Sequence, residues 1–141
     1  MILNSFYAFL SSFGFGILFN IRGKLLIVAS IGGGLSWLTY LISGRLQSSI
    51  VFSLFLASLV GSIYSEIMAR VYKNPVTMFI ICAIIPLVPG GGMYYAILEV
   101  VKGNLNVALS TGAQTLFSAG AIAVGIVFVA SISTIFKKIK K

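Results

Sequence analysis

This sequence predicts an all-α integral membrane protein of five transmembrane helices, the fourth broken at a Pro-x-x-Pro-Gly motif. Three observations carry that reading. Hydrophobic residues make up 59% of the 141 residues and charged residues 9%, where a soluble domain carries roughly 25% charge to cover its surface. The apolar residues gather into five runs separated by short basic or polar stretches. No run alternates in polarity as the strands of an outer-membrane barrel do. Lipid offers no partner to an unpaired backbone group, so each run is expected to be helical.

The expected spans are residues 2–20, 25–43, 49–69, 76–101 and 105–136, which make residues 1–141 a single transmembrane domain. Each is near or above the roughly 20 residues that cross the hydrocarbon. The first span has no Lys or Arg before it and no Ala-x-Ala site after it, so it is expected to stay in the mature protein. The second carries Gly32, Gly33 and Gly34, with Trp37 and Tyr40 expected as belt or packing aromatics near its outer end. The third repeats Ala57, Gly61 and Ser65 at four-residue spacing, a pattern that allows close helix approach. The fifth is longer than a straight span needs, and its Ala121 and Gly125 repeat the small-residue spacing.

Loop charge predicts orientation. With five crossings, Arg22, Lys24, Arg70, Lys73 and the tail lysines Lys137, Lys138, Lys140 and Lys141 share one side, and only Arg45 and Lys102 fall on the other. Eight against two places the C-terminus in the cytoplasm and the N-terminus outside. Were the fourth run a re-entrant hairpin, the split would become five against five, so a broken but complete crossing is the expectation. The net charge of +8 would suggest nucleic acid in a soluble protein. Here the cations punctuate apolar stretches instead of lining one face, and no nucleic-acid partner is expected. The Lys tail is placed to touch anionic lipid.

The composition excludes several chemistries. With no His, no Asp and one Cys, the chain offers no Cys/His metal site, no disulfide, and none of the groups that intramembrane hydrolysis would use. No metal, cofactor or enzymatic activity is expected, and Cys82 reads as a small packing residue.

Function is expected instead at the fourth span. Pro86 and Pro89 have no N–H, so the carbonyls of Cys82 and Ile85 lose their helical partners. Gly90, Gly91 and Gly92 then permit an unwound backbone. A helix restarting there would present free N–H groups near the membrane midplane, a place that attracts carboxylates and that transporters use for substrate. The structural alternative is a kink packed on a neighbour. In the fifth span Thr111, Gln114, Thr115 and Ser118 fall on one helical face, which is expected to look inward or onto a partner because an amide and three hydroxyls are costly against lipid. Glu66 and Arg70, and Glu99 and Lys102, are spaced as interfacial helical ion pairs. Glu99 is the one acid of this chain put forward for coupling.

The runs Phe15-Gly16-Ile17-Leu18-Phe19-Asn20 and Ile85-Pro86-Leu87-Val88-Pro89-Gly90, with Tyr94 four residues on, resemble the small subunit of split threonine/serine exporters. Relatives in that family are associated with succinate export. The resemblance implies a larger five-span partner subunit, and a small-molecule substrate that is an amino acid or short carboxylate. It marks Asn20, Pro86, Pro89, Gly90 and Tyr94 as motif positions. Two other readings stand beside it, a non-transporting assembly or regulatory subunit and a channel-like homo-oligomer.

Overall fold

The computed structural model describes residues 1–46 and 48–139, the side chains of residues 136–139 excepted. The side chains of the four tail lysines, expected to meet anionic lipid, lie outside the described residues. The described chain is all-helical: α1 (Ile2–Leu18), α2 (Lys24–Arg45), α3 (Ile50–Tyr72), α4 (Val76–Ile84), a 3-10 turn (Ile85–Leu87), α5 (Gly90–Val101) and α6 (Leu105–Ile139). Helices α2, α3 and α6 are each long and apolar enough to cross a membrane. So are α4 with its turn and α5 taken together, bent by 51° between them. Helix α1 is apolar but has 17 residues, about 26 Å at 1.5 Å per residue, slightly short of the ~30 Å hydrocarbon core.

Three of the connections use one device. Asn20, Lys73 and Gly103 each take a left-handed backbone, with φ of 59°, 53° and 82°. The next residue in each case donates its N–H back to a carbonyl inside the finished helix: Ile21 to Gly16 at 2.9 Å, Asn74 to Ala69 at 3.1 Å, and Asn104 to Glu99 at 2.9 Å. This arrangement satisfies carbonyls that a helix end otherwise leaves bare. Asn is tolerated in that conformation, which accounts for Asn20 at the end of its run.

Helix α4 is central. It packs on α2 and α3, and Phe79, Cys82 and Ala83 on it are fully buried. Helix α1 covers the outer side of α2, and α6 lies along α3. The packing is close because small residues meet at the crossings. A Cβ at Gly61 would run into Ser36, and one at Gly125 into Ser58. Two buried serines at the crossings fold their hydroxyls back onto their own helices, Ser36 to the Gly32 carbonyl at 2.9 Å and Ser65 to that of Gly61 at 2.7 Å, so these two fill space without an unpaired donor.

Helix directions follow from matched contacts. Ser58 meets Gly125 and Glu66 accepts from the Ser133 hydroxyl at 2.6 Å, so α3 and α6 run in the same sense. Arg70 joins this cluster, 2.8 Å from Ser133 and 3.6 Å from Glu66, the helical ion pair expected from the spacing. Gly92 meets Thr115 and Gly112 meets Ala96, so α5 and α6 run in opposite senses. The long α6 is thus a spine, its first half carrying α5 and its second half lying on α3.

Candidate functional site

The site begins where α4 runs out of donors. In an unbroken helix the N–H of residue 86 would serve the carbonyl of Cys82; proline has none to give. The hydroxyl of Ser12, on α1, takes its place and donates to Cys82 O at 2.8 Å. Both groups are fully buried. Gly33 of α2 closes the junction, since a Cβ there would overlap Ser12 Oγ and come within 2.9 Å of the Cys82 carbonyl. The second carbonyl released by proline, that of Ile85, accepts from Val88 N–H at 3.3 Å.

The chain then turns sharply. Pro89 has φ −79° and ψ 52°, close to an inverse γ-turn, and Gly90 N–H donates to Val88 O at 2.8 Å. Helix α5 starts at Gly90 with no side-chain cap, and its first intrahelical bond runs from Met93 N–H to Pro89 O at 3.2 Å. The amides of Gly91 and Gly92 therefore sit in the first turn without intrahelical acceptors. Gly90 and Gly91 are exposed, and a Cβ on either would meet nothing within 4 Å. The result is an open, uncapped helix start.

The polar face of α6 divides. Gly92 is pressed against Thr115, whose Oγ1 a Cβ at Gly92 would strike. Thr115 and Ser118 are buried and Thr111 is half-buried. Thr115 donates to the Thr111 carbonyl at 2.7 Å and Ser118 to that of Gln114 at 2.9 Å. Gln114 is exposed. Thr115 and Gly92 are thus brought together, with Ser118 one turn further along α6, beside the start of α5. Tyr94 points away, 62% exposed, its ring edge-on to Tyr95 at 5.4 Å between centroids. Glu99 is not at the break. It accepts from Lys102 Nζ and Asn104 Nδ2, both at 2.7 Å, and lies seven residues from Gly92, roughly 10 Å along the helix.

Pro86 also has a second neighbourhood. On its far side it lines an open cavity of about 310 Å3 with Tyr7 of α1 and Trp37 of α2. Sequence reading missed Ser12 and Gly33 as parts of the break. The unpaired Cys82 carbonyl was the available signal, because a buried acceptor demands a donor.

A family model described as Threonine/Serine exporter, ThrE matches residues 4–132. The chain belongs to the threonine/serine exporter family. No curated protein and no solved structure matches it. As a member of the exporter family, with apolar helices suited to span a bilayer, this is a multi-pass membrane transport protein. The family is one of transporters, not enzymes, which agrees with the composition. The matched segment contains the whole break, Ser12, Gly33 and the Thr111–Ser118 face. In a threonine/serine exporter the relevant chemistry is recognition of a small polar molecule, and an uncapped helix start flanked by glycine has the donors for a carboxylate.

Proposed function

We propose that this chain is the smaller part of a two-component exporter whose substrate is threonine, serine or a short carboxylate such as succinate. The substrate carboxylate accepts hydrogen bonds from the Gly91 and Gly92 amides at the start of α5. A larger five-span subunit closes the pathway over α5 and α6. One observation carries this reading: α5 buries none of its residues and packs chiefly on α6, so the open helix start, Tyr94 and the exposed Gln114 amide are left uncovered among the described residues. An amide at that depth is costly against lipid, and a second protein is its natural cover. The contact registers support one broken crossing from α4 through α5, because the helices flanking it, α3 and α6, run in the same sense. With α1 counted, that reading gives five crossings.

The test is reconstitution. Vesicles containing this chain alone should show no saturable efflux of threonine, serine or succinate, and adding the larger subunit should restore it. Robust substrate-selective flux from the isolated chain would overturn the two-component reading. The proposed orientation, C-terminus cytoplasmic, rests on the eight-to-two distribution of cations. Reporters fused at Lys141 and within Arg45–Ser48 should give opposite compartments; the same compartment for both would sink the five-crossing topology.

A further inference from the structure

A groove follows the seam between α1 and α2, on the side of the molecule away from α5. Its inner end is the 310 Å3 cavity against Pro86, with Tyr7, Ala8 and Trp37 as walls. Its outer end is a second cavity of about 330 Å3 that reaches Gly44 and Arg45. Asn4 lines both, so the two adjoin along the surface. The lining residues fall at helical spacing on each side, Asn4, Ala8 and Ser11 on α1, and Trp37, Leu41 and Gly44 on α2. From Arg45 to Trp37 the groove descends eight residues of α2, roughly 12 Å.

Its two ends differ in chemistry. The inner end is mainly aromatic and aliphatic, walled by Tyr7, Ala8, Trp37 and Pro86, and the Trp37 ring lies 5.1 Å from that of Tyr40 on the wall of the outer cavity. The outer end carries the exposed guanidinium of Arg45. Among the described residues no carboxylate reaches Arg45, for the chain has two acids and these are held by Arg70 and Lys102. The groove thus joins an unpaired cation at the membrane boundary to an apolar trough leading inward. A small polar solute would match the mouth and leave the trough empty.

We infer that this groove is a binding site for an anionic phospholipid, its phosphate on Arg45 and one acyl chain laid along Tyr7, Ala8 and Trp37 toward Pro86. Guanidinium presents paired donors to phosphate oxygens, and the acyl chain removes aromatic and aliphatic surface from contact with mobile lipid. The inference does not depend on which substrate is exported.

Gly44 provides a clean test, because a Cβ there meets nothing within 4 Å, so a side chain would enter the groove without displacing protein. The full chain, purified in detergent, is titrated with phosphatidylglycerol and with phosphatidylcholine and followed by native mass spectrometry. Wild type should retain phosphatidylglycerol about tenfold more tightly, the scale of one charge-assisted hydrogen bond. Arg45→Gln should erase that preference, Arg45→Lys should keep most of it, and Gly44→Leu should abolish retention of both lipids. Undiminished preference in Arg45→Gln, or undiminished retention in Gly44→Leu, overturns the site. Displacement of the lipid by millimolar serine or succinate overturns it in favour of a substrate route, and dimers lost in Gly44→Leu overturn it in favour of a second copy.

Discussion

Gly33→Val should leave little folded protein. The Cβ alone would overlap Ser12 Oγ and approach the Cys82 carbonyl to 2.9 Å, and that carbonyl is backbone held in the central helix. Overpacking a well-filled interior costs about 1–3 kcal/mol. Gly33→Ala belongs in that range and valine, with two further methyl groups, at or beyond its upper end. Thermal denaturation of the detergent-purified protein measures the effect. Ser12→Ala removes the flexible half of the obstruction but leaves the Cys82 carbonyl buried and unpaired, a loss of about 1–3 kcal/mol on its own. Because the two substitutions act on one junction, Ser12→Ala with Gly33→Ala should destabilise by less than the sum of the two. A Gly33→Val protein with wild-type stability would show that the three-helix junction of α1, α2 and α4 is not closed as described.

The sequence makes half of that junction visible. Pro86 announces that the Cys82 carbonyl loses its helical donor, because that consequence is local and covalent. The replacement donor is on α1, 70 residues away, in an apolar run where one serine has nothing nearby to distinguish it. The helices themselves are readable from apolar run length, and the turns from Asn, Gly and Pro. The Thr111–Ser118 face is legible as a face by its period. Which neighbour it meets is not, because that depends on α5 folding back on α6. The run Gly90–Gly92 reads as one flexible unit, yet its members separate in space: Gly92 is small because Thr115 presses on it, while Gly90 and Gly91 stand in the open. Tyr94, marked by motif, is turned outward, and no local pattern predicts which side of a helix an aromatic takes.

The other large effect is expected in transport. Replacing Pro86 and Pro89 together with Ala restores two backbone donors and lets α4 run into α5, removing residues that cost about 3 kcal/mol each inside an ordinary helix. The span should become locally more regular, and the Gly91 and Gly92 amides should then bond within the helix, so none is left for substrate. Membrane insertion and assembly with the proposed larger subunit should be normal, and efflux normalised to assembled complex should fall at least tenfold, which corresponds to about 1.4 kcal/mol of lost recognition. Gly90→Val separates shape from chemistry. Its Cβ occupies open space, so the fold should tolerate it, while its methyl groups crowd the uncapped turn. Export at wild-type rates by both variants would reduce the break to a packing kink. Lost assembly would assign these residues to the interface, and lost export with intact assembly supports a substrate site.

The hydrogen bond from Ser12 to Cys82 also constrains the order in which this chain can change. A lineage that replaces Pro86 with a residue bearing an N–H gives Cys82 a donor from its own helix, and Ser12 is then free to become alanine at little cost. The reverse order passes through an intermediate with a bare carbonyl at the centre of the molecule. Loss of the hydroxyl at position 12 should therefore be found in family members that have already lost the proline at 86, and rarely in those that keep it. A comparison of aligned relatives reads this directly, and independent variation of the two positions would count against it.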